Sequence, residues 1–120
     1  MRTTKKDFQI FKESFLYWQK ELGLMDYEIF FENIYLKPVD FEVYARIYVT
    51  TMGRAVTVQL NLKIDKDSKK HWTGPAASGK HEAIHLLLNR LRWLGESRYL
   101  ESSDLQEEEE SLVRRLEKVL

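Results

Sequence analysis

The chain has 120 residues, of which 43% are hydrophobic, with five glycines and two prolines. This length fits one domain, and the composition supports an ordinary core, which excludes a multidomain assembly and the disordered and collagen-like classes. Nineteen basic residues balance nineteen acidic ones, so the basic surplus typical of nucleic-acid binding is missing and we expect no nucleic-acid partner.

Cysteine is absent from the sequence, which excludes a disulfide framework, a thiolate metal site and a cysteine nucleophile. The basic N-terminal residues precede an amphipathic helical pattern rather than a continuous apolar segment, so they lack the form of a secretory signal. No apolar run approaches the roughly 18 residues of a membrane span. We therefore expect a cytoplasmic protein without membrane contact.

The first predicted element is a helix over residues 4–22. Thr4 and Asp7 match a helix-start signal in which the hydroxyl and the carboxylate satisfy free amide groups, and Gly23 suits the end of the helix. Apolar residues at three- and four-residue spacing define one face of this helix: Phe8, Phe11, Phe15, Trp18 and Leu22.

Three alternating segments follow and predict three short strands. The first begins at Tyr27 and ends before a loop at Pro38 and Asp40. The second and third segments flank a turn at residues 51–54 and therefore predict an antiparallel hairpin. Their inward apolar residues are Val43, Ala45, Ile47 and Val49 in the second strand and Val56, Val58, Leu60 and Leu62 in the third. The opposite residues are mostly polar, so we expect one face of the sheet to be solvated.

A polar connector over residues 63–80 precedes two more helical patterns. The second helix starts after Pro75 and ends at Gly95, and a capping-box signal starts the third helix at Ser103. Helices and strands in this order predict an α+β domain.

The second predicted helix contains His81-Glu82-Ala83-Ile84-His85, an H-E-x-x-H motif. Because four residues advance a helix by about one turn, both imidazoles can bind the same zinc ion. Glu82 points in a neighbouring direction, where its carboxylate can take a proton from an activated water and return it to a leaving amine. The motif therefore predicts a zinc site, although the same residues also fit ordinary positions at the rim of an amphipathic helix.

A catalytic zinc ion usually has three protein ligands and keeps its fourth position for water. The extended motif with a third histidine in the same helix is absent, because Leu88 and Leu91 stand where its glycine and histidine would be. His71 lies beside Trp72 in the polar connector, where we expect a surface position outside the site. The other candidates are acids of the third helix.

Four consecutive acids, Glu107 to Glu110, lie near the start of the third helix. Glu109 precedes Val113 by four residues, so helical phase directs it towards the core, whereas Glu108 lies at the edge of the apolar stripe and Glu107 and Glu110 point away. A carboxylate directed into an apolar face needs a cation partner.

The cation that neutralises Glu109 is zinc or an arginine, and the arginine candidates are Arg90, Arg92 and Arg98. Helical phase ranks Glu109 first as the third zinc ligand and Glu108 second. His71, or no third ligand at all, completes the alternatives.

The chain resembles small zincin-fold metallopeptidases of the SprT-like type found in phages and prophages. The resemblance covers nearly the whole chain and rests on the element order, on the Gly79-Lys80-His81-Glu82-Ala83-Ile84-His85 segment and on the closing helix around residues 109–118. It implies a twisted sheet packed against the motif helix, an edge strand beside the cleft, and a glutamate of the last helix that completes the zinc site. The sequence has no four-cysteine zinc ribbon, so the DNA-linked role of longer SprT-like proteins is not expected.

We therefore expect a single domain over residues 1–120 with a minimal zincin-like fold: an N-terminal helix, a three-stranded mainly antiparallel sheet, the motif helix and a C-terminal helix. His81, His85 and Glu109 are the predicted Zn²⁺ ligands, and Glu82 is the predicted general base and acid that hydrolyses a peptide or protein substrate. A phage-encoded protein of this kind would act in the host cytoplasm.

Two further hypotheses remain open. The protein could be a non-catalytic module, such as a phage accessory protein or a protein-binding module, in which zinc ties the second helix to the third. In the other hypothesis no metal binds, and the motif histidines are ordinary residues at the rim of a helix.

Overall fold

The computed structural model describes residues 1–38, 42–50, 54–65, 71–96 and 102–119. The elements are α1 (Lys5–Glu21), β1 (Glu28–Ile34), β2 (Ala45–Val49), β3 (Ala55–Asn61), α2 (Pro75–Glu96) and α3 (Ser102–Val119). This order confirms the predicted α+β class and the predicted succession of helices and strands. Asp40, the turn residues 51–53, residues 66–70 of the connector, and Arg98 lie outside the described residues.

Helix α1 begins with the predicted capping box. The Thr4 hydroxyl accepts a hydrogen bond from the Asp7 amide at 3.0 Å, and the Thr4 amide donates to the Asp7 carboxylate at 2.9 Å. Phe11 and Phe15 on the predicted apolar face are completely buried. The helix ends before Gly23, whose positive φ of 72° is a left-handed conformation that glycine adopts without strain.

The sheet has the strand order β1-β3-β2 and is mixed, not mainly antiparallel. The predicted β2–β3 hairpin is antiparallel, whereas β1 runs parallel to β3. Strand β3 lies in the centre and is the most buried of the three, with Val56, Val58 and Leu60 all at zero exposure. Alternation in the sequence predicts which side chains share a face but does not specify the neighbour or direction of a strand, so the parallel pair was not foreseen.

The outer face of the sheet is exposed at Phe30, Glu32 and Tyr48, as alternation predicts, but it is buried at its centre. Gln59 in the centre of this face is buried, and its side chain accepts a hydrogen bond from Arg46 on β2 and donates one to Glu32 on β1, each at 2.7 Å. Because this row pairs its polar groups across all three strands, Gln59 can be buried without a penalty for unpaired groups.

Asn61 at the end of β3 holds the two ends of the connection between β1 and β2. Its side-chain oxygen accepts from the Leu36 amide at 3.0 Å, and its side-chain nitrogen donates to the carbonyl oxygens of Leu36 and Val43. Since Val43 lies just before β2, this buried amide sets where the edge strand begins.

Helices α1 and α2 approach each other closely at Gly79. A Cβ atom at this position would lie 2.6 Å from the Phe11 carbonyl oxygen and 2.9 Å from the Phe15 amide nitrogen. Only a residue without a side chain allows this separation of the two backbones. Gly79 stands two residues before His81, so the contact also sets the position of the motif on α2. None of the helices in the described ranges is both long and apolar enough to cross a membrane.

Gly79→Ala should therefore destabilise the protein. An alanine in a helix ordinarily gains about 0.5–1 kcal/mol over glycine, but here the methyl group meets the backbone of α1, and we expect a net loss of about 1–3 kcal/mol in the free energy of unfolding. Urea denaturation measures this difference. Ala76→Gly, at an exposed position in the first turns of α2, is the control and should cost no more than about 1 kcal/mol. A Gly79→Ala protein that is more stable than the parent would contradict the close contact.

Candidate metal centre

An open cleft of about 710 Å³ lies between β2, α2 and α3. Strand β2 is an edge strand of the sheet, and its residues line one side of the cleft along their whole length. The Trp72 indole donates a 2.8 Å hydrogen bond to the Ser78 hydroxyl, which holds the segment before α2 against the first turns of that helix. The H-E-x-x-H motif faces this cleft from α2, and the acids of α3 face it from the other side.

His81 and His85 lie one helical turn apart, as their spacing predicts. Their Nε2 atoms are 3.1 Å apart, and both side chains are mostly buried, with 28% and 16% of their surface exposed. This is the convergence of two imidazole nitrogens that a shared metal ion requires.

Glu110 on α3 supplies a third possible ligand atom. Its Oε1 atom lies 2.6 Å from Nε2 of His85 and 3.8 Å from Nε2 of His81. The three side chains offer ligand atoms within 4.8 Å of one another and form a group that could hold a metal ion. We call His81, His85 and Glu110 the candidate metal centre.

Glu109 is buried, as helical phase predicts, but it lies beside this group. Its Oε1 atom is 3.4 Å from Nδ1 of His85, the ring nitrogen that points away from the candidate metal centre. Its Oε2 atom is 3.8 Å from Nε of Arg92, so one of the alternative cation partners proposed for Glu109 does lie next to it. The prediction that Glu109 ligates the ion stays a prediction, and the structure brings Glu110 closer to the two Nε2 atoms.

Helical phase predicts that Glu110 points away from the core, whereas in the structure its carboxylate lies 2.6 Å from Nε2 of His85 on α2. The prediction from helical phase assumes that α3 contacts its neighbour along its apolar stripe, and Val113 on that stripe is fully buried. However, His81 and His85 stand at the rim of the stripe on α2. A partner for them must therefore also lie at a rim, next to the stripe on α3, and Glu110 occupies this half-exposed position.

Glu117 is a residue of the cluster that sequence reasoning missed. Its Oε1 atom is in close contact with Nδ1 of His81. Glu117 follows Glu110 by seven residues, which is two helical turns and places both acids on one face. That spacing was the available signal, but an acid near the end of a charged helix also fits a solvated position. The Lys80 ammonium group lies 3.4 Å from the Glu117 carbonyl oxygen and over the Trp18 ring.

Glu82 lies in the cleft with only 5% of its surface exposed. Burial in a poorly hydrated position raises the pKa of its carboxyl group above the ordinary value, and the charges of His85 and His81 only partly oppose this rise. A carboxylate with a raised pKa accepts protons more readily, which is the property of a general base and acid.

The histidines and acids of the cluster shift one another's pKa values in the metal-free protein. Burial on its own lowers the pKa of His85, but its hydrogen bonds to Glu109 and Glu110 outweigh burial and raise this pKa to about 10. Burial also acts to lower the pKa of His81. Its hydrogen bond to Glu110 and the charges of Glu82 and Glu117 outweigh burial, so this pKa is raised. The pKa of Glu110 is lowered, first by its hydrogen bonds to the two histidines. In the metal-free protein the carboxylates of the cluster therefore favour the protonated form of His85.

His71, another candidate for the third ligand, is not part of the group. His71 is exposed and lies at the border of the cleft, and it is not among the described side chains that converge with His81 and His85. The side chains of Glu108 and Arg90 lie outside the described residues.

Comparison with known proteins finds no matching family model, no matching curated protein and no matching solved structure. The geometry of the cleft is therefore the basis for any assignment of function.

In the metal-free protein, we expect the His85 imidazole to keep both ring protons at about pH 8, well above the ordinary histidine pKa of about 6.5. The reason is its pair of carboxylate partners, which raise the pKa of His85 to about 10. Nitrogen NMR of the imidazole over a pH series measures this directly. Glu110→Gln should lower the pKa of His85, and Glu107→Gln, at an exposed position of the same helix, should leave it unchanged. A His85 that titrates near its ordinary value would contradict the contacts described.

Proposed function

We propose that this protein is a zinc-dependent metallopeptidase with a minimal zincin-like architecture, of the SprT-like type that its sequence resembles. His81, His85 and Glu110 bind the zinc ion, and Glu82 is the general base and acid. The substrate is a peptide or protein. We also propose a cytoplasmic location and no nucleic-acid partner, as the sequence leads us to expect.

One observation carries the proposal: three potential ligand atoms converge beside a buried glutamate at the wall of an open cleft. Among the described residues the group has three members, which is the number of protein ligands that leaves one position of a tetrahedral ion for water or substrate. A structural zinc site has four protein ligands. The composition of the group therefore favours a catalytic over a structural ion.

The donor set and its spacing suit zinc. Tetrahedral zinc with bonds of about 2.0–2.1 Å to nitrogen and oxygen needs ligand atoms about 3.3 Å apart. The separations of 2.6, 3.1 and 3.8 Å between Oε1 of Glu110 and the two Nε2 atoms lie on both sides of this value. Two histidines and one carboxylate also suit ferrous iron, so metal identity is part of the test below.

The residues of the cleft have separable roles in peptide hydrolysis. A zinc ion held by His81, His85 and Glu110 would polarise the substrate carbonyl and lower the pKa of an attacking water. The Glu82 carboxylate takes the proton of that water and returns it to the leaving amine, and its raised pKa suits both steps. Burial keeps this carboxylate beside the two histidines and limits competition from bulk water.

Strand β2 offers a way to hold an extended substrate. It is an edge strand whose residues line the cleft beside the candidate metal centre. A free strand edge presents backbone amide and carbonyl groups to which an extended peptide can pair. Such pairing would align a peptide along the cleft through backbone contacts, which suits a small enzyme that recognises many sequences.

The second candidate function is a zinc-stabilised binding module without catalysis. The contacts of His81 with Glu117 and of His85 with Glu110 also favour this function, because they join α2 to α3. In that case a fourth protein ligand would close the coordination sphere. A crystal structure of the zinc-loaded protein distinguishes the two, because it shows whether water or a fourth protein side chain completes the coordination sphere.

We expect the protein to bind about one zinc ion per chain. Elemental mass spectrometry on protein purified without chelators or nickel resin measures the content of zinc and iron together. His81→Ala should abolish binding, and Glu110→Ala should weaken it more than Glu109→Ala does, because Glu110 is closer to both Nε2 atoms. The control Glu107→Ala should bind like the parent. A parent that takes up no zinc, even when zinc is supplied, would exclude the metal site, and iron in its place would exclude the peptidase.

Glu82→Gln should retain zinc and lose hydrolysis by at least about 100-fold, because the amide cannot accept the proton of the attacking water. Fluorescently labelled casein and a mixture of quenched peptides serve as substrates, with zinc content measured on the same samples. Ser78→Ala, which removes a hydroxyl that binds Trp72 at the border of the cleft, is a control that should keep most activity. Equal hydrolysis by Glu82→Gln and the parent would overturn the assigned role of Glu82.

A further inference from the structure

The two histidines of the candidate metal centre use their ring nitrogens in the same way. Each directs Nε2 towards the other histidine and Glu110. Each also directs Nδ1 towards a carboxylate, which is Glu117 for His81 and Glu109 for His85. The two carboxylates come from different turns of α3.

An imidazole binds a metal ion only through a nitrogen that carries no proton, so its single proton must lie on the other nitrogen. A carboxylate beside Nδ1 accepts a hydrogen bond from that proton and thereby fixes both the tautomer and the plane of the ring. Without such a partner the ring can turn or place its proton on the metal-binding nitrogen.

We propose that Glu109 and Glu117 are positioning residues that hold His85 and His81 with Nε2 directed at the ion. This inference rests on the metal site of the proposed function and deepens it. Helix α3 then supplies one ligand and both orienting carboxylates, so the site exists only while α2 and α3 are packed together.

Glu109 and Glu117 differ in how deeply they are buried and in how many partners they have. Glu109 is buried at 8% exposure and its second oxygen lies 3.8 Å from Nε of Arg92. A buried carboxylate needs partners on both oxygens, and His85 and Arg92 provide them. Glu117 is one-third exposed, so its side chain contributes less to packing and its removal tests positioning with less disturbance of the core.

Glu117 offers a substitution pair that separates positioning from simple charge. Glu117→Gln removes the negative charge but keeps an oxygen that can accept from Nδ1 of His81, whereas Glu117→Leu removes both. Competition with a chromophoric zinc chelator measures affinity. We expect Glu117→Leu to bind zinc about 10- to 100-fold more weakly than the parent, with Glu117→Gln much closer to the parent. Glu107→Gln and Glu107→Leu, at an exposed position of the same helix, are the matched controls and should bind like the parent.

A spectroscopic readout tests the role of Glu117 more directly. In the zinc-loaded parent, the Nδ1 proton of His81 should be visible by NMR because the carboxylate protects it from exchange with water. The same proton should exchange faster in Glu117→Leu. Circular dichroism and thermal unfolding of the metal-free variants show whether the fold is intact. If Glu117→Leu does not fold, Glu117→Ala takes its place, with the same expected loss of zinc affinity.

Equal losses of affinity in Glu117→Gln and Glu117→Leu would show a charge effect only and overturn the inference. Parent-like affinity in a folded Glu117→Leu would overturn it as well. If His81→Ala also binds like the parent, the metal site itself is absent and both proposals fall. If the affinities follow the expected pattern but the parent hydrolyses no peptide, the positioning role stands and only the peptidase proposal fails.

Discussion

The contact between α2 and α3 through imidazoles and carboxylates is the interaction on which the cleft depends. His81 and His85 lie at the rim of the apolar face of α2, and Glu110 lies at the rim of α3. Apolar packing beside this contact, with Val113 fully buried, excludes water and makes each charge interaction stronger than it would be at a surface. The same contact brings together the donors that a cation requires.

The rest of the fold holds this contact in place from two sides. Gly79 lets α2 approach α1 to backbone contact, so the position of the motif on α2 is determined by a rigid helix pair. Asn61 fixes the start of β2 through hydrogen bonds to Leu36 and Val43, at the two ends of the connection that precedes this strand. The cleft therefore has a rigid helical wall and a tethered strand wall, which suits a site that must keep ligands at fixed separations.

The electrostatics of the cluster are those of a site that attracts cations. Glu82, Glu109 and Glu110 lie close to two histidines in partly buried positions. In the metal-free protein, the hydrogen bonds of His85 to Glu109 and Glu110 outweigh burial and raise its pKa to about 10, which favours protons on this imidazole. A divalent ion can replace those protons, so metal binding and proton release are coupled.

The sequence by itself determined the class of elements, their order, the β2–β3 hairpin and the pairing of His81 with His85, because all of these follow from local periodicity and from spacing within one helix. It also placed Glu109 in the interior. Tertiary structure alone decided the parallel pairing of β1 with β3, the burial of Gln59, and the meeting of Glu110 and Glu117 with the histidines. These features depend on which strand inserts between two others and on how two helices are rotated against each other. Helical phase specifies the apolar face of a helix, but a site at the rim of two helices depends on the angle at which those faces meet, and that angle is set only by packing.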